Sequence, residues 1–341
     1  MAFSRLRAPS ALAPGVLLTS ALGVVAWWGA RALAAAFPDA AVDAVVLAIV
    51  GGVLVRAWWE PGARAVPGIS FAAKEMLEVA VVLLGVSTDV RWMATAGATL
   101  AASIATVTTL ALGAGLLWGR VFGLPPSHAL LVASGNAICG NSAIAAVASV
   151  TGAKREETAS AVAYTAVLSL GLVLALPYVR DALALSDMRF GVVTGLTVYA
   201  VPQVLAAAYP VSVQAGQVGT VVKLVRVLML IPLVLVLSLR RHREREEGWQ
   251  SVSVIRLVPW YVLGFLVATA LRSTGVVPDR VATVAKSTSH WLTIISMAAL
   301  GLGVEIELLR RVGWRTAATA TLSLLTLCGM AGALVAWLPA S

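Results

Sequence analysis

The sequence predicts an all-α, polytopic membrane protein, and three observations lead there. The chain is 60% hydrophobic and only 12% charged, about half the charge of an average soluble domain. Its mean hydropathy is +0.91, too apolar for a surface that water must wet. Its apolar residues fall into successive runs close to the ~20 residues a helix needs to cross a bilayer. Lys and Arg cluster between those runs, so the net charge of +9 reads as headgroup anchoring. No basic face interleaved with aromatics points to nucleic acid.

Eleven candidate spans follow in order: 14–35, 41–58, 68–88, 94–119, 128–151, 158–179, 190–209, 216–239, 256–272, 285–306 and 312–338. The first, preceded by Arg5 and Arg7, imitates a secretory signal, but the similar runs behind it make it a retained span. Gly, Ser and Thr punctuate several runs, as close helix packing in lipid requires. With the N-terminus inside, the cytoplasmic side collects most of the arginines, above all Arg240, Arg241, Arg243 and Arg245, in keeping with the positive-inside rule. That places the C-terminus in the periplasm. No loop is long enough to fold alone, so residues 1–341 read as a single transmembrane domain.

An internal echo suggests an inverted repeat. Leu84-Gly85-Val86-Ser87-Thr88-Asp89-Val90, with Gly97 and Ala101, lines up at constant offset with Leu300-Gly301-Leu302-Gly303-Val304-Glu305-Ile306, Gly313 and Ala317. An even-numbered span matches an odd-numbered one, so the copies cross in opposite directions. Repeat elements near 68–151 and 285–338 follow from this, an arrangement that underlies alternating access in secondary transporters.

Two segments carry chemistry. In 128–151, Ser134, Gly135, Asn136, Cys139, Gly140, Asn141 and Ser142 interrupt an apolar run. Buried amides need partners, and the glycines permit unwinding, so a discontinuous helix is expected. Its freed backbone and its Asn and Ser side chains would hold a small solute, and a half-helix N-terminus favours an anion. The alternative is that these polar groups only knit helices together. The second broken helix is expected over 190–209, where Pro202 removes an amide donor, frees the carbonyl of Val198 and kinks the helix beside Tyr199 and Gln203. With Gln203 facing the same cavity, Asn141 and Gln203 are the donors whose loss should weaken transport most.

Lys223 and Arg226 open the eighth span at helical spacing, where they either supply positive charge to an anion path or snorkel to an interface. Glu75 and Glu78 beside Lys74 read as a helix-surface ion pair, and His290 as an interface residue rather than a proton carrier. Cys139 and Cys328 have neither metal-ligand nor disulfide-framework spacing.

These segments resemble the YeiH-type bacterial inner-membrane proteins, a family conjectured to export sulfate. The resemblance runs through Phe71-Ala72-Ala73-Lys74, Leu84-Gly85, Ile138-Cys139-Gly140-Asn141-Ser142-Ala143-Ile144, Val198-Tyr199-Ala200-Val201-Pro202-Gln203-Val204, Lys223-Leu224-Val225-Arg226-Val227 and Met297-Ala298-Ala299-Leu300-Gly301-Leu302. It covers the chain from about residue 15 onward. It implies membership of the cation/proton antiporter and bile-acid symporter grouping, with crossed discontinuous helices. Some members carry His-Glu where Tyr199-Ala200 stand here, and Ala in place of Pro202, so this chain lacks an ionisable pair found in those relatives. One point resists the resemblance: the fifth and seventh spans, both odd, run in the same direction by count, whereas crossed helices of an inverted repeat run oppositely.

The expected function is secondary transport of a small anion, a sulfate-like sulfur oxyanion moved outward, across a bacterial inner membrane. No cofactor is expected; the coupling ion would be H+ or Na+. The partners are the anionic solute and the lipid bilayer, and a homodimer is compatible with the reading. A cation/proton antiporter or sodium-coupled organic anion symporter is the alternative within transport, weakened by the lack of an Asp at mid-depth in either broken span. A membrane-embedded enzyme is the alternative outside it. Against that stand the missing His-Glu-x-x-His pattern and three histidines (His128, His242, His290) scattered at span ends. No Gly-rich loop ending in Gly-Lys-Ser/Thr suggests an ATPase.

Overall fold

The structure, a computed structural model, describes residues 9–36, 44–87, 91–245, 260–303 and 313–337. Among the described residues every regular element is a helix. In order these are α1 (Pro9–Ala36), α2 (Ala44–Trp58), α3 (Val66–Phe71), α4 (Leu77–Ser87), α5 (Arg91–Val121), α6 (Pro126–Ala137), α7 (Asn141–Thr151) and α8 (Arg155–Ala182). They continue as α9 (Asp187–Thr197), α10 (Val201–Ala208), α11 (Val213–Leu228), α12 (Leu230–Arg245), α13 (Trp260–Ser273), α14 (Asp279–Leu302) and α15 (Trp314–Trp337). Five stretches are long and apolar enough to cross a bilayer: Ala11–Ala36, Gly97–Val121, Arg155–Ala182, Val213–Arg240 and Trp314–Trp337. The expected all-α polytopic class is what forms.

The chain divides into two compact units, Met1–Trp92 with Trp260–Val304, and Met93–Pro259 with Glu305–Ser341. In the first, a π-helical turn over Ala72–Met76 joins α3 to α4. α14 runs antiparallel to this pair: Ala299 and Leu302 cluster with Ile69 and Ala72, while Ser289 donates to Ala80 O at 2.7 Å. Trp27 packs on Trp291 with ring centres 5.4 Å apart. Lys74 and Glu75 fall in the π turn, Glu78 accepts from the Trp260 indole, and His290 is exposed.

In the second unit α8 serves as a ruler. Its 28 residues make it about 42 Å long, with Ala161, Thr165, Ser169 and Val173 forming a buried stripe. α15 runs antiparallel to α5, since a methyl added at Gly119 would approach Thr319 and one at Gly115 would approach Ser323. The echoing stretches thus place α4 against α14, and α5 against α15, on antiparallel helices; residues 88–90 and 304–312 of the echo lie outside the described residues.

The structure differs from expectation in the path of the two broken segments. Neither 128–151 nor 190–209 runs on in one direction along α8. Each goes in and comes back. Ser127, at the start of α6, donates to Glu157 at 3.0 Å, and His128 shares a hydrogen bond with Ser160 at 3.0 Å, so α6 begins beside the start of α8. The turn after it lies beside Thr165, which donates to Asn141 Oδ1 at 3.2 Å. α7 then returns, ending at Thr151, only a short turn before α8 begins at Arg155. Leu131 and Val132 of α6 pack against Ile144 and Val147 of α7. We call 126–151 hairpin 1.

Hairpin 2, 187–208, is built the same way from the opposite end of α8, where Arg180 binds Asp187 at 3.0 Å. α9 runs parallel to α11: a methyl on Gly191 would sit 2.7 Å from Ala215 O, and one on Gly195 would sit 2.5 Å from Gly219 O. Only glycine permits that approach, a Gly-x-x-x-Gly interface. α10 runs the other way along α11, with Val204 against Gly219 and Tyr209 against Gly216. The two hairpins therefore enter from opposite ends of α8 and meet tip to tip. This removes the directional conflict, because hairpins entering from opposite ends have antiparallel first arms.

Candidate functional site

The tips are three-residue breaks, Ile138–Gly140 and Val198–Ala200. Gly140 has φ +68°, a left-handed conformation that an L side chain rarely adopts, and a methyl there would meet Tyr199 Cβ at 3.2 Å. Pro202 stands in the first turn of α10, where its missing amide costs nothing. The break expected within a turn of Pro202, close to Gly140, is present.

A helix end leaves its last carbonyls without intrahelical donors, and in hydrocarbon each must find one. Here two α11 side chains supply them. Lys223 donates to Ile138 O at 2.6 Å and to Val198 O at 2.7 Å. Arg226 donates to Asn136 O and Ala137 O of hairpin 1 at 2.9 and 2.7 Å, with its Nε also reaching Ala137 O at 3.0 Å. It donates as well to Gly195 O at 3.1 Å, to Leu196 O and to Val198 O at 3.3 Å in hairpin 2. Both side chains are fully buried. Of the two roles open to them, snorkelling is excluded. They also complement the partial negative charge at the C-termini of α6 and α9.

The remaining expected residues divide into two groups. Asn136 is engaged at both atoms of its amide: Nδ2 donates to Ala320 O at 2.8 Å and Oδ1 accepts from the Tyr199 hydroxyl at 2.8 Å. Gln203 is buried and engaged at both atoms of its amide. Its Oε1 accepts from Ala200 N at 3.2 Å, capping α10, and its Nε2 donates to Ser169 at 3.0 Å. Ser134 is buried and donates to Leu131 O at 3.1 Å. Cys139 is buried with its sulfur against Ser142 and the Ala143 amide, and both cysteines are free thiols. The second group is Asn141 and Ser142, exposed at the N-terminus of α7. The first amides there have no intrahelical acceptor.

The structure thus gathers every sequence-selected residue of 134–142, 199–203 and 223–226 around one junction. Sequence reasoning missed Thr165 and Ser169 of α8, which touch one hairpin each, and the carbonyl of Ala320. The four-residue spacing of Ala161, Thr165, Ser169 and Val173 was the available signal for the first two, and Gly191-x-x-x-Gly195 was the signal for the α9–α11 contact.

Comparison with known proteins places the chain. Residues 14–320 match the family model described as "Conserved hypothetical protein 698". A UPF0324 membrane protein of Bradyrhizobium diazoefficiens is 46% identical over 96% of this chain and 94% of its own length. One from Agrobacterium fabrum is 43% identical over 94% and 92%, and one from Brucella melitensis 47% over 84% and 80%. The YeiH-type resemblance carried by the Ile138–Ile144 and Val198–Val204 motifs is to this same family. The chain belongs to the UPF0324 family of membrane proteins.

Proposed function

We propose that this membrane protein is a secondary transporter of a small anion, with a sulfur oxyanion as the first candidate, and that the hairpin junction is its site. One observation carries the reading: at the junction six helix-end acceptors are consumed while donors remain. Six carbonyls that end α6 and α9 are taken by Lys223 and Arg226. The start of α7 presents amides and the exposed Asn141 and Ser142. Donors in a low-dielectric setting suit an oxyanion. A cation site would need carboxylates, and the sequence holds no Asp or Glu from 90 to 155 or from 188 to 243.

Orientation follows the charge rule. With both hairpins re-entrant, Lys154 and Arg155 move to the cytoplasmic side and Arg180 and Arg189 to the outside, two basic residues for two. The Arg240–Arg245 cluster stays cytoplasmic and the C-terminus periplasmic, in a bacterial inner membrane. The test is uptake of radiolabelled sulfate, thiosulfate and methanesulfonate by proteoliposomes that hold the purified chain and are preloaded with the same unlabelled anion. Uptake above protein-free vesicles for at least one, reduced in Asn141→Ala, supports the reading; no uptake of any of the three overturns it.

A further inference from the structure

We infer that the transporter is an obligate anion exchanger, an inference that rests on the anion reading above. The argument is electrostatic. The half-charges of the two helix C-termini, on α6 and α9, and of the two N-termini, on α7 and α10, cancel in pairs. What remains at the junction is the charge of Lys223 and Arg226. Both are fully buried, and every partner found for them among the described residues is a neutral backbone carbonyl. The described carboxylates at the ends of α8 are Glu156 and Glu157 at one end and Asp181 and Asp187 at the other, where Glu157 receives Ser127 and both aspartates pair with Arg180.

To change the side it faces, a transporter passes through a state closed to both sides. Closed and empty, this junction would hold uncompensated positive charge in a low dielectric, the costliest arrangement for an ion. Closed around an anion, it is neutralised. The loaded step is therefore the easy one in both directions, and the empty return is slow. Transport then proceeds by exchanging one anion for another, with no coupling cation needed.

The experiment measures tracer sulfate entry into proteoliposomes of the full chain, with valinomycin and potassium holding the membrane potential at zero. One set of vesicles is loaded with unlabelled sulfate and the other with none. Entry at least about tenfold faster into loaded vesicles is expected. Lys223→Met, by removing one buried charge, should bring the ratio toward one, and Lys223→Arg should keep it high. Equal wild-type rates in the two sets would overturn exchange and leave anion transport standing. No entry into either set, with thiosulfate and methanesulfonate failing likewise, would instead remove the anion reading itself. A high ratio that survives Lys223→Met would overturn the assignment of its origin to the buried charge.

Discussion

Hairpin 1 and hairpin 2 share a plan and differ in what their tips leave open. Each has a first arm whose last carbonyls are closed by Lys223 and Arg226, a three-residue break and a returning second arm. At tip 2 the returning arm is sealed: Gln203 occupies Ala200 N, Pro202 has no amide to offer, and Gln203 is tied to Ser169. At tip 1 the returning arm begins with exposed Asn141 and Ser142. On the proposed transport reading, equal scaffolds with unequal ends give a division of labour in which hairpin 2 positions and hairpin 1 binds.

The largest test is all-or-none. If both segments are re-entrant, the turn at Lys154 lies on the same side as Arg240, and the turn at Asp181 on the other. Eleven crossings would give the reverse. Single cysteines at Lys154 and Asp181, with Cys139 and Cys328 replaced by alanine, should label from opposite sides with a membrane-impermeant maleimide, Lys154→Cys from the cytoplasmic side. The reverse pattern would dissolve the hairpins and the comparison with them.

Next in size is Arg226→Leu. It strips donors from Asn136 O and Ala137 O in one hairpin and from Gly195 O and Leu196 O in the other. Each orphaned buried acceptor costs about 1–3 kcal/mol, so a loss of at least about 4 kcal/mol is expected, read as a large drop in thermal midpoint in detergent. Arg226→Lys should not restore it, because one ammonium lacks the fork that spans both tips. A midpoint near wild type would mean that the tips hold without their shared clamp.

Asn141→Ala sharpens the asymmetry. The residue is exposed, so folding should change little, while an anion losing one such donor should bind about 1.5–3 kcal/mol more weakly, one to two decades in affinity. Gln203→Ala should show the opposite profile. Losing the cap on α10 costs about 0.5–2 kcal/mol of stability, with affinity affected less. Thermal midpoints and sulfate competition on the same preparations separate the two. Equal affinity losses would make both tips part of the site.

Much of this was legible in the sequence, and the reasons for the rest are physical. Gly135, Gly140 and Pro202 announce breaks because backbone chemistry is local. The polar residues around them stand out because an amide in an apolar run needs a partner. The direction of the chain after each break is not local. A broken helix that continues and one that turns back have the same composition, and the loops that could vote, at Lys154-Arg155 and at Arg180 with Arg189, carry equal basic charge. Only the packing of Gly191 and Gly195 on Ala215 and Gly219, and the bonds from Ser127 and His128 to α8, decide it. The partners of Lys223 and Arg226 were hidden for the same reason. They lie some 25 to 90 residues away and are backbone atoms, which no side-chain pattern marks.

The smallest expected effect on affinity belongs to Tyr199→Phe. Its hydroxyl, at hairpin 2, donates to Asn136 Oδ1 of hairpin 1 at 2.8 Å, tying the tips side chain to side chain. Phenylalanine keeps the ring against Gly140 and removes only the donor. Asn136 then holds a buried oxygen without its partner, at about 1–3 kcal/mol, or roughly 2–4 °C in thermal midpoint per kcal/mol for a unit of this size. Because the hydroxyl spends its proton on Asn136 rather than on a ligand, sulfate competition should stay within about twofold of wild type. The Asn136–Ala320 bond still holds the amide in place, so hairpin 1 should keep its geometry. The result to watch for is the inverse: an unchanged midpoint with an affinity loss as deep as that of Asn141→Ala. That would mean the tyrosine turns from Asn136 to the anion when one arrives, and hairpin 2 would then bind as well as position.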